Sequence, residues 1–122
     1  ILAAFAVPSY QSYVSKAQSS EAFSLIDGAK TPISMAIGEQ GMTDGCAIPA
    51  GVASKGKYGA GAGAGLSATA NAGVCDLVYT FDSGKAAGGA IGFKSDASGS
   101  NWKCDDSLIT AATDTSVTLS CP

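Results

Sequence analysis

Two glycine-containing motifs carry the residue types of nucleotide-binding loops. The stretch Gly51–Lys57 fits the first seven positions of a phosphate-binding P-loop, in which backbone N–H groups and a lysine hold phosphate oxygens. Tyr58 stands where a Ser or Thr must bind magnesium, and the sequence predicts neither a strand before the motif nor a helix after it. The run from Gly59 to Ala64 matches a loose dinucleotide pattern, as any alternating Gly-Ala tract would. Neither motif therefore predicts a nucleotide site.

Aspartate side chains are the second group that could do chemistry, because several carboxylates on loops can bind calcium. The candidate set is Asp76, Asp82, Asp96, Asp105 and Asp106. These residues lack the spacing of an EF-hand, and solvated carboxylates in turns are the commoner explanation for such a set. We therefore predict no metal site.

The charged residues limit the chemistry further. The chain has no histidine and no arginine, and 7 lysines against 10 acidic residues give a net charge of −3. Without histidine the usual general base is missing, and no Asp or Lys is identifiably paired with a nucleophilic Ser, so we predict no enzyme and no cofactor. The negative charge also disfavours a nucleic-acid surface, although five lysines could form a local patch. These are Lys55, Lys57, Lys85, Lys94 and Lys103.

Four cysteines, Cys46, Cys75, Cys104 and Cys121, are spaced too widely for a Cys-x-x-Cys metal or redox motif. Zinc sites that need histidine are excluded as well. An oxidising compartment is favoured, and the sequential pairing of the cysteines closes the shortest loops, each contributing roughly 3–4 kcal/mol. Four buried free thiols remain an alternative, because free cysteine is a common small core residue.

The first third of the chain has the pattern of one long helix. Apolar residues recur at spacings dominated by three and four from Val7 to Ile37, as in a helix with one buried face. Gly41 is placed to end the helix, because glycine adopts the left-handed conformation of a C-terminal cap without strain. Pro32 removes one backbone hydrogen bond and predicts a bend near residues 28–32. We predict a helix over residues 1–40.

The remaining residues predict an α+β fold in which the helix covers a small antiparallel sheet. Residues 41–73 are rich in Gly, Ala and Ser and should form a loop between helix and sheet, with one strand-like piece at Lys57–Leu66. Residues 74–122 contain short β-branched, aromatic or apolar segments separated by turn residues. The predicted strands are Val74–Asp82, Gly89–Lys94, Trp102–Cys104 and Val117–Cys121.

The length of the helix exceeds what the rest of the chain can cover. A 40-residue helix is about 60 Å long, whereas a head formed by residues 41–122 has a radius of gyration near 12 Å. Residues 1–27 should therefore protrude, and residues 28–40 should pack on the head. Residues 1–7 are all apolar, but a membrane span requires ~18–20 such residues. Such a rod needs a lipid or protein partner around it.

The two ends of the chain together resemble one family. The segment Ile1–Gln18 combines an Ile-Leu-Ala-Ala run, a proline at position 8 and the sequence Tyr-Gln-Ser-Tyr-Val-Ser-Lys-Ala. It resembles the helix of type IV pilins just after its most hydrophobic stretch. Trp102-Lys-Cys104 and the near-terminal Cys121 resemble the disulfide-bounded D-region of these pilins. The glycine-rich middle of the chain resembles no family.

The resemblance implies the type IV pilin fold and a structural subunit that polymerises into a bacterial pilus filament. Such filaments mediate surface adhesion and twitching motility or DNA uptake. The family also has an upstream segment that this sequence lacks, with an N-methylated first residue. About fourteen further apolar residues would complete a membrane span. The subunit would lie in the inner membrane before assembly and in the extracellular filament afterwards.

The resemblance also implies partners and site residues. The partners are other copies of the chain in a helical homopolymer, the assembly machinery of the inner membrane, and a host surface, DNA or phage. The residues implied to make filament contacts are Ile1, Leu2, Phe5, Val7, Pro8, Tyr10, Tyr13 and Val14. Those implied to form an exposed binding surface are Asp105, Asp106, Ser107, Thr113 and Asp114.

Two other classes stay open at this point. A minor pilin or a type II secretion pseudopilin would keep the fold and change the role. The terminal cysteines favour the pilus, since major pseudopilins tend to bind calcium and often lack that disulfide. A secreted, disulfide-stabilised binding or hydrolytic domain would instead be a monomer that turns over or binds a small molecule.

Overall fold

The computed structural model describes the backbone of residues 2–122 and the side chains of residues 18–122. Its first element, α1, runs without interruption over Leu2–Gln40, so Pro32 does not break the helix. Gly41 ends it with a φ of 87°, and the Gly41 N–H donates to the carbonyl of Ile37 at 2.8 Å. Within the described residues, no helix is long and apolar enough to cross a membrane. A short helix, α2, follows at Met42–Gly45.

A four-stranded antiparallel sheet forms the rest of the framework. The strands are β1 (Gly65–Asn71), β2 (Val74–Thr80), β3 (Ala90–Lys94) and β4 (Lys103–Cys104), and they are neighbours in chain order. A single 3-10 turn over Asp106–Leu108 follows β4. The predicted α+β fold, a long helix packed on a small antiparallel sheet, is confirmed.

Strand β1 corrects the predicted loop over residues 41–73. The strand-like piece expected at Lys57–Leu66 is mostly irregular, and the strand begins only at Gly65. It is paired to β2 by a two-residue turn in which Ala72 and Gly73 have φ of 52° and 82°. Two successive positive φ values give the twist that joins antiparallel strands tightly, so this turn sets the register Asn71↔Val74.

The predicted last strand, Val117–Cys121, is wrong. These residues form no strand, although Val117 and Leu119 are buried. Their apolar side chains are held in the core by packing and by the bond from Cys121 to Cys104, without a neighbouring strand. Alternating burial alone therefore produced a strand-like pattern here.

The packed part of α1 is longer than predicted. Its buried positions follow the helical period and are Gln18, Ala22, Ile26, Ala29, Ile33 and Ile37. Packing thus begins at Gln18 and not at residue 28, so the prediction that all of residues 1–27 protrude is wrong for the last part of that range. The head reaches further along the helix because the β2–β3 connection and the loop before β1 both contact α1 near Gln18 and Glu21.

One face of the sheet forms the core with this stripe. Leu77, Tyr79 and Ile91 are fully buried on it, opposite Ile26 and Ile33 of α1. Fully burying such a side chain stabilises the fold by roughly 1.5–3 kcal/mol. On the same helix, Phe23 packs edge-on against Phe93, and Ser34 Oγ accepts a hydrogen bond from the indole N–H of Trp102 at 2.9 Å.

Candidate functional site

The four cysteines form two disulfides, Cys46–Cys75 and Cys104–Cys121, and none is free. The predicted sequential pairing is confirmed, and the alternative of free thiols is wrong. Each bond encloses a segment with little regular structure. We call residues 51–64 the glycine segment and residues 105–120 the C-terminal loop. These two segments contain the two glycine-containing motifs and the predicted binding residues.

The two lysines of the P-loop-like motif contact other groups of the same loop. Lys55 Nζ donates to the carbonyl oxygens of Gly61 and Ala64. Lys57 stands in the position of the P-loop lysine, and its Nζ lies 5.4 Å from the centre of the Tyr58 ring. A P-loop lysine instead points its ammonium group at phosphate oxygens.

The backbone amides of the glycine segment are also used internally. Asp82, just beyond β2, accepts hydrogen bonds from the N–H groups of Ala60 at 3.3 Å and Gly61 at 2.8 Å. Tyr58 O in turn accepts from the N–H of Asp82 at 2.8 Å. The carboxylate occupies the amides that an anionic ligand would need, so the segment is a structural loop tied to the end of β2.

Tyr79 provides the surface on which the glycine segment lies. A Cβ atom on Gly59 would be 2.6 Å from the Tyr79 hydroxyl and 2.8 Å from the carbonyl oxygen of Thr80. Only a residue without a side chain fits this contact. The hydroxyl has no hydrogen-bond partner among the described residues. Burial, followed by the charges of Glu21 and Asp82, raises the pKa of Tyr79 to about 12.

Gln18 connects α1 to the β2–β3 connection. It is almost fully buried, and its Oε1 accepts a hydrogen bond from the N–H of Ala86 at 2.8 Å. A buried amide N–H without a partner costs about 1–3 kcal/mol, so this contact fixes where the connection sits on the helix. Sequence reasoning missed Gln18 because it considered apolar positions only. Its spacing of four from Ala22 would have placed it on the buried stripe.

The C-terminal loop is shaped by a local motif, Asp-x-Ser. Asp105 Oδ1 accepts from the N–H of Ser107 at 2.8 Å, and Asp114 Oδ1 accepts from the N–H of Ser116 at 2.9 Å. These hydrogen bonds lower the pKa of both carboxyl groups. The same motif recurs before the loop at Asp96, whose pKa is lowered by Ser98, Asn101 and Ser100. The aspartates are thus turn-forming residues, as solvated loop carboxylates usually are.

The predicted binding residues fall into two groups. Asp105, Asp106 and Ser107 lie at the turn after β4, and the last two are exposed. Thr113 is exposed, and its N–H donates to the carbonyl of Ala87 at 3.0 Å, which docks the loop on the β2–β3 connection. Asp114 lies beside it and forms an ion pair of 3.6 Å with Lys85.

Several of the remaining carboxylates and lysines pair with one another. Within residues 18–122, no three His, Cys, Asp or Glu side chains are grouped so as to hold a metal ion. Asp76 instead lies 3.3 Å from Lys94 Nζ and 3.4 Å from Asn71 Nδ2, although its Oδ1 has no partner in hydrogen-bond geometry. Lysines 30, 85 and 94 are each paired with an aspartate.

The residues predicted to make filament contacts lie outside the described side chains. Ile1 is not described at all. The backbone of the other seven belongs to α1. These residues are Leu2, Phe5, Val7, Pro8, Tyr10, Tyr13 and Val14. Their role therefore stays a prediction.

Comparison with known proteins assigns the family. A family model described as pilin, a bacterial filament, matches residues 15–122. The chain belongs to the pilin family. The chain is 38% identical over 109 residues to a fimbrial protein of Moraxella nonliquefaciens, covering 79% of this chain and 68% of the relative. It is 43% identical over 60 residues to fimbrial protein EcpC of Eikenella corrodens, covering 48% of this chain and 39% of that relative. No solved structure gives a significant match.

Membership explains the arrangement of the pilin's two parts. The long helix and the four-stranded sheet are the α+β fold that the resemblance implied, and the matched region includes the whole head. The chain is a structural subunit of a pilus, an extracellular bacterial filament.

Proposed function

We propose that this pilin polymerises into a type IV pilus in which α1 forms the filament core and the C-terminal loop faces outward. The one-sided burial of α1 supports this proposal. The head covers the stripe from Gln18 to Ile37, whereas Ser24, Thr31 and Met35 are exposed. Among the described residues, Met35 is the large apolar side chain that is exposed, at 62%. A neighbouring subunit would cover this face.

The proposed filament contacts follow from the same helix. Identical apolar helices bury each other when they pack side by side, and a contact between different faces of identical subunits does not close, which produces an open polymer. We assign the core contacts to Ile1, Leu2, Phe5, Val7, Pro8, Tyr10, Tyr13 and Val14. Before assembly, the subunit would be held in the inner membrane and delivered by an assembly machine.

We propose adhesion as the role of the exposed head. The C-terminal loop places Asp106, Ser107 and Thr113 in solvent, where hydroxyl and carboxylate groups are free to contact a host surface or phage. DNA uptake has weaker support, since the net charge is −3 and three lysines of the described residues are paired with aspartates. Twitching motility would follow from assembly and retraction of the same filament.

Substitution of alternating apolar positions tests the assembly proposal. Ser at Ile1, Ala3, Phe5 and Val7 should abolish filaments seen by electron microscopy, because the apolar surface that packs in the core is lost. The head should stay folded, with both disulfides formed and an unchanged melting temperature.

The matched control carries the same number of serines at exposed alanines of the head, namely Ala47, Ala53, Ala62 and Ala97. It should form normal filaments. Intact filaments from the first variant would overturn the proposal. Calcium binding in the micromolar range, measured by calorimetry, would instead favour a pseudopilin.

A further inference from the structure

Strand β1 is the first strand of the sheet, and only its β2 side is paired along its length. Its residues 65–71 pair one to one with residues 80–74 of β2, without a bulge. Because Asn71 and Val74 flank a two-residue turn, they form a hydrogen-bonded pair, and the bonds to β2 then come from every second residue. The backbone groups of Leu66, Ala68 and Ala70 therefore point away from β2.

The start of this outer edge is covered, and the rest is not. The N–H of Leu66 donates to Ser54 O at 2.7 Å, which shows that the even-numbered residues face outward. Among the residues that the structure describes, no group bonds the backbone N–H or C=O of Ala68 or Ala70. Two donors and two acceptors are thus available in a row at this edge.

Natural edge strands usually carry features that prevent pairing, such as lysine, proline or a bulge. None of these is present here. Residues 66–73 contain no charged residue and no proline, and the side chains of Ser67, Thr69 and Asn71 are small or short, and exposed. Along residues 66–73 an extended segment would meet no charged side chain, and the carboxylate of Asp76, opposite Thr69 on β2, is paired with Lys94 at 3.3 Å.

We propose that the edge of β1 pairs with the same edge of a second copy, forming a continuous antiparallel sheet across two subunits. A two-fold axis at Thr69 places Ala68 opposite Ala70 of the second copy, and Ala70 opposite its Ala68. All four N–H groups and all four carbonyls of these alanines are then paired. The two Thr69 side chains face each other across the axis, a favourable cross-strand pair.

The second copy is the favoured occupant for two reasons. The edge complements itself under a two-fold axis, and it carries no charge, so two chains of net charge −3 can approach there without close repulsion between like charges. A two-fold contact closes on itself and cannot build a filament. It would instead join subunits of two neighbouring filaments, and the same edge on every subunit would strengthen the contact by multivalency. This inference rests on the proposed function.

A cysteine at the two-fold axis tests the pairing directly. All native cysteines are in disulfides, so one new cysteine is unambiguous. In purified filaments of the Thr69→Cys variant, mild oxidation should link subunits into a dimer on a non-reducing gel. Directly opposed residues of a non-hydrogen-bonded pair lie within disulfide range.

The matched control is Ser67→Cys, on the same face of the same strand. In the proposed pairing, Ser67 faces Asn71 of the second copy, and the two Ser67 residues are about 13 Å apart, beyond disulfide range. It should give about tenfold less dimer than Thr69→Cys. Equal cross-linking of the two variants, or none in either, would overturn the proposal.

A charge at the edge provides a second measurement. Thr69→Lys should convert filament bundles, seen by electron microscopy and low-speed sedimentation, into single filaments, because two lysines would face each other at the axis. Thr118→Lys adds the same charge at an exposed position of the C-terminal loop and should leave bundling unchanged. Single filaments from every form, the unsubstituted chain included, would refute edge pairing and leave the filament role intact. Loss of the filaments themselves in the unsubstituted chain would refute the proposed function.

Discussion

The glycine segment and the C-terminal loop are both enclosed by a disulfide and both lack long regular elements, yet they are held in different ways. The glycine segment depends on distant residues, such as Asp82, which bonds the N–H of Gly61 from 21 positions away. The C-terminal loop is shaped by bonds between residues two positions apart, such as Asp114 and Ser116. Order in the first segment is therefore tertiary, and much of the order in the second is local.

This difference determines which substitutions each segment tolerates. A side chain added at Gly56 or Gly59 would overlap the buried Tyr79, so few substitutions fit at these two positions of the glycine segment. The C-terminal loop keeps its shape through short turns and a few buried anchors, including Val117 and Leu119. Exposed residues between these anchors can change freely, which suits a surface that contacts partners.

The two disulfides should give the largest effects. Replacing Cys46 and Cys75 by Ser should lower the free energy of unfolding by about 3–4 kcal/mol, and replacing Cys104 and Cys121 by about 3 kcal/mol, because the enclosed loops differ in length. The sequence separations are 29 and 17. The first pair is also buried, so its serines would be desolvated. Urea denaturation measures both, and a larger loss for the second pair would contradict the comparison.

Single glycine substitutions should separate close packing from backbone strain. Gly65→Ala should destabilise the head by about 3 kcal/mol, because its φ is +81° and a Cβ there would overlap the carbonyl oxygen of Ser54. Gly63 has a similar φ of +80° with open space around it, so Gly63→Ala should cost only about 1 kcal/mol. Thermal denaturation compares the two. Equal losses would mean that packing does not restrain the contact between Gly65 of β1 and Ser54 of the glycine segment.

The same denaturation applied to Thr115→Ala, an exposed position in the C-terminal loop, should show a change within about 0.5 kcal/mol. A loss as large as that of Gly65→Ala would mean that Thr115 is packed as tightly as Gly65 is against Ser54 of the glycine segment.

Alkaline pH should lower the free energy of unfolding through Tyr79, the buried residue on which the glycine segment lies. The pKa of Tyr79 is raised to about 12, whereas an unfolded tyrosine titrates near 10. The contribution of Tyr79 to the free energy of unfolding is therefore fully present below pH 10. Roughly 2–3 kcal/mol of it is lost as pH rises from 10 through 12, because in this range Tyr79 deprotonates in the unfolded chain before it does so in the folded one. Denaturation of the wild type and of Tyr79→Phe over this range isolates the effect, because the two proteins differ only in the Tyr79 hydroxyl. Parallel pH profiles would contradict it.

The smallest effects should come from the aspartates of the C-terminal loop. Hydrogen bonds from Ser107 and Ser116 lower the pKa of Asp105 and Asp114, so the carboxylates support the loop above the ordinary aspartate range. That support is lost as pH falls through this range and below it. Carboxyl titration by NMR should place both groups below a free aspartate. Asp114→Ala should move local amide signals and leave the melting temperature nearly unchanged, and a large fall would contradict a local role.

Parts of this fold could be predicted because their signals are periodic or local. The helical period of α1, the glycine at its end and the short loops of the sequential disulfides all lie within short stretches of sequence. Strand β1 was missed because alanine and glycine obscured it, although Asn71-Ala72-Gly73 is close to a hairpin turn signal. The false strand at Val117–Cys121 shows the converse, since apolar alternation also describes a coil whose side chains anchor in a core.

The sequence by itself determined the α+β order of elements and most of the face that α1 buries, and it favoured the sequential pairing of the four cysteines, because each depends on spacing along the chain. Only the tertiary structure decided that Gln18 holds the β2–β3 connection, that Tyr79 excludes a side chain at Gly59, and that Ala68 and Ala70 face an open edge. These facts depend on atoms brought together from distant positions. No local sequence pattern predicts such contacts, because the same glycines and alanines could occur in any loop.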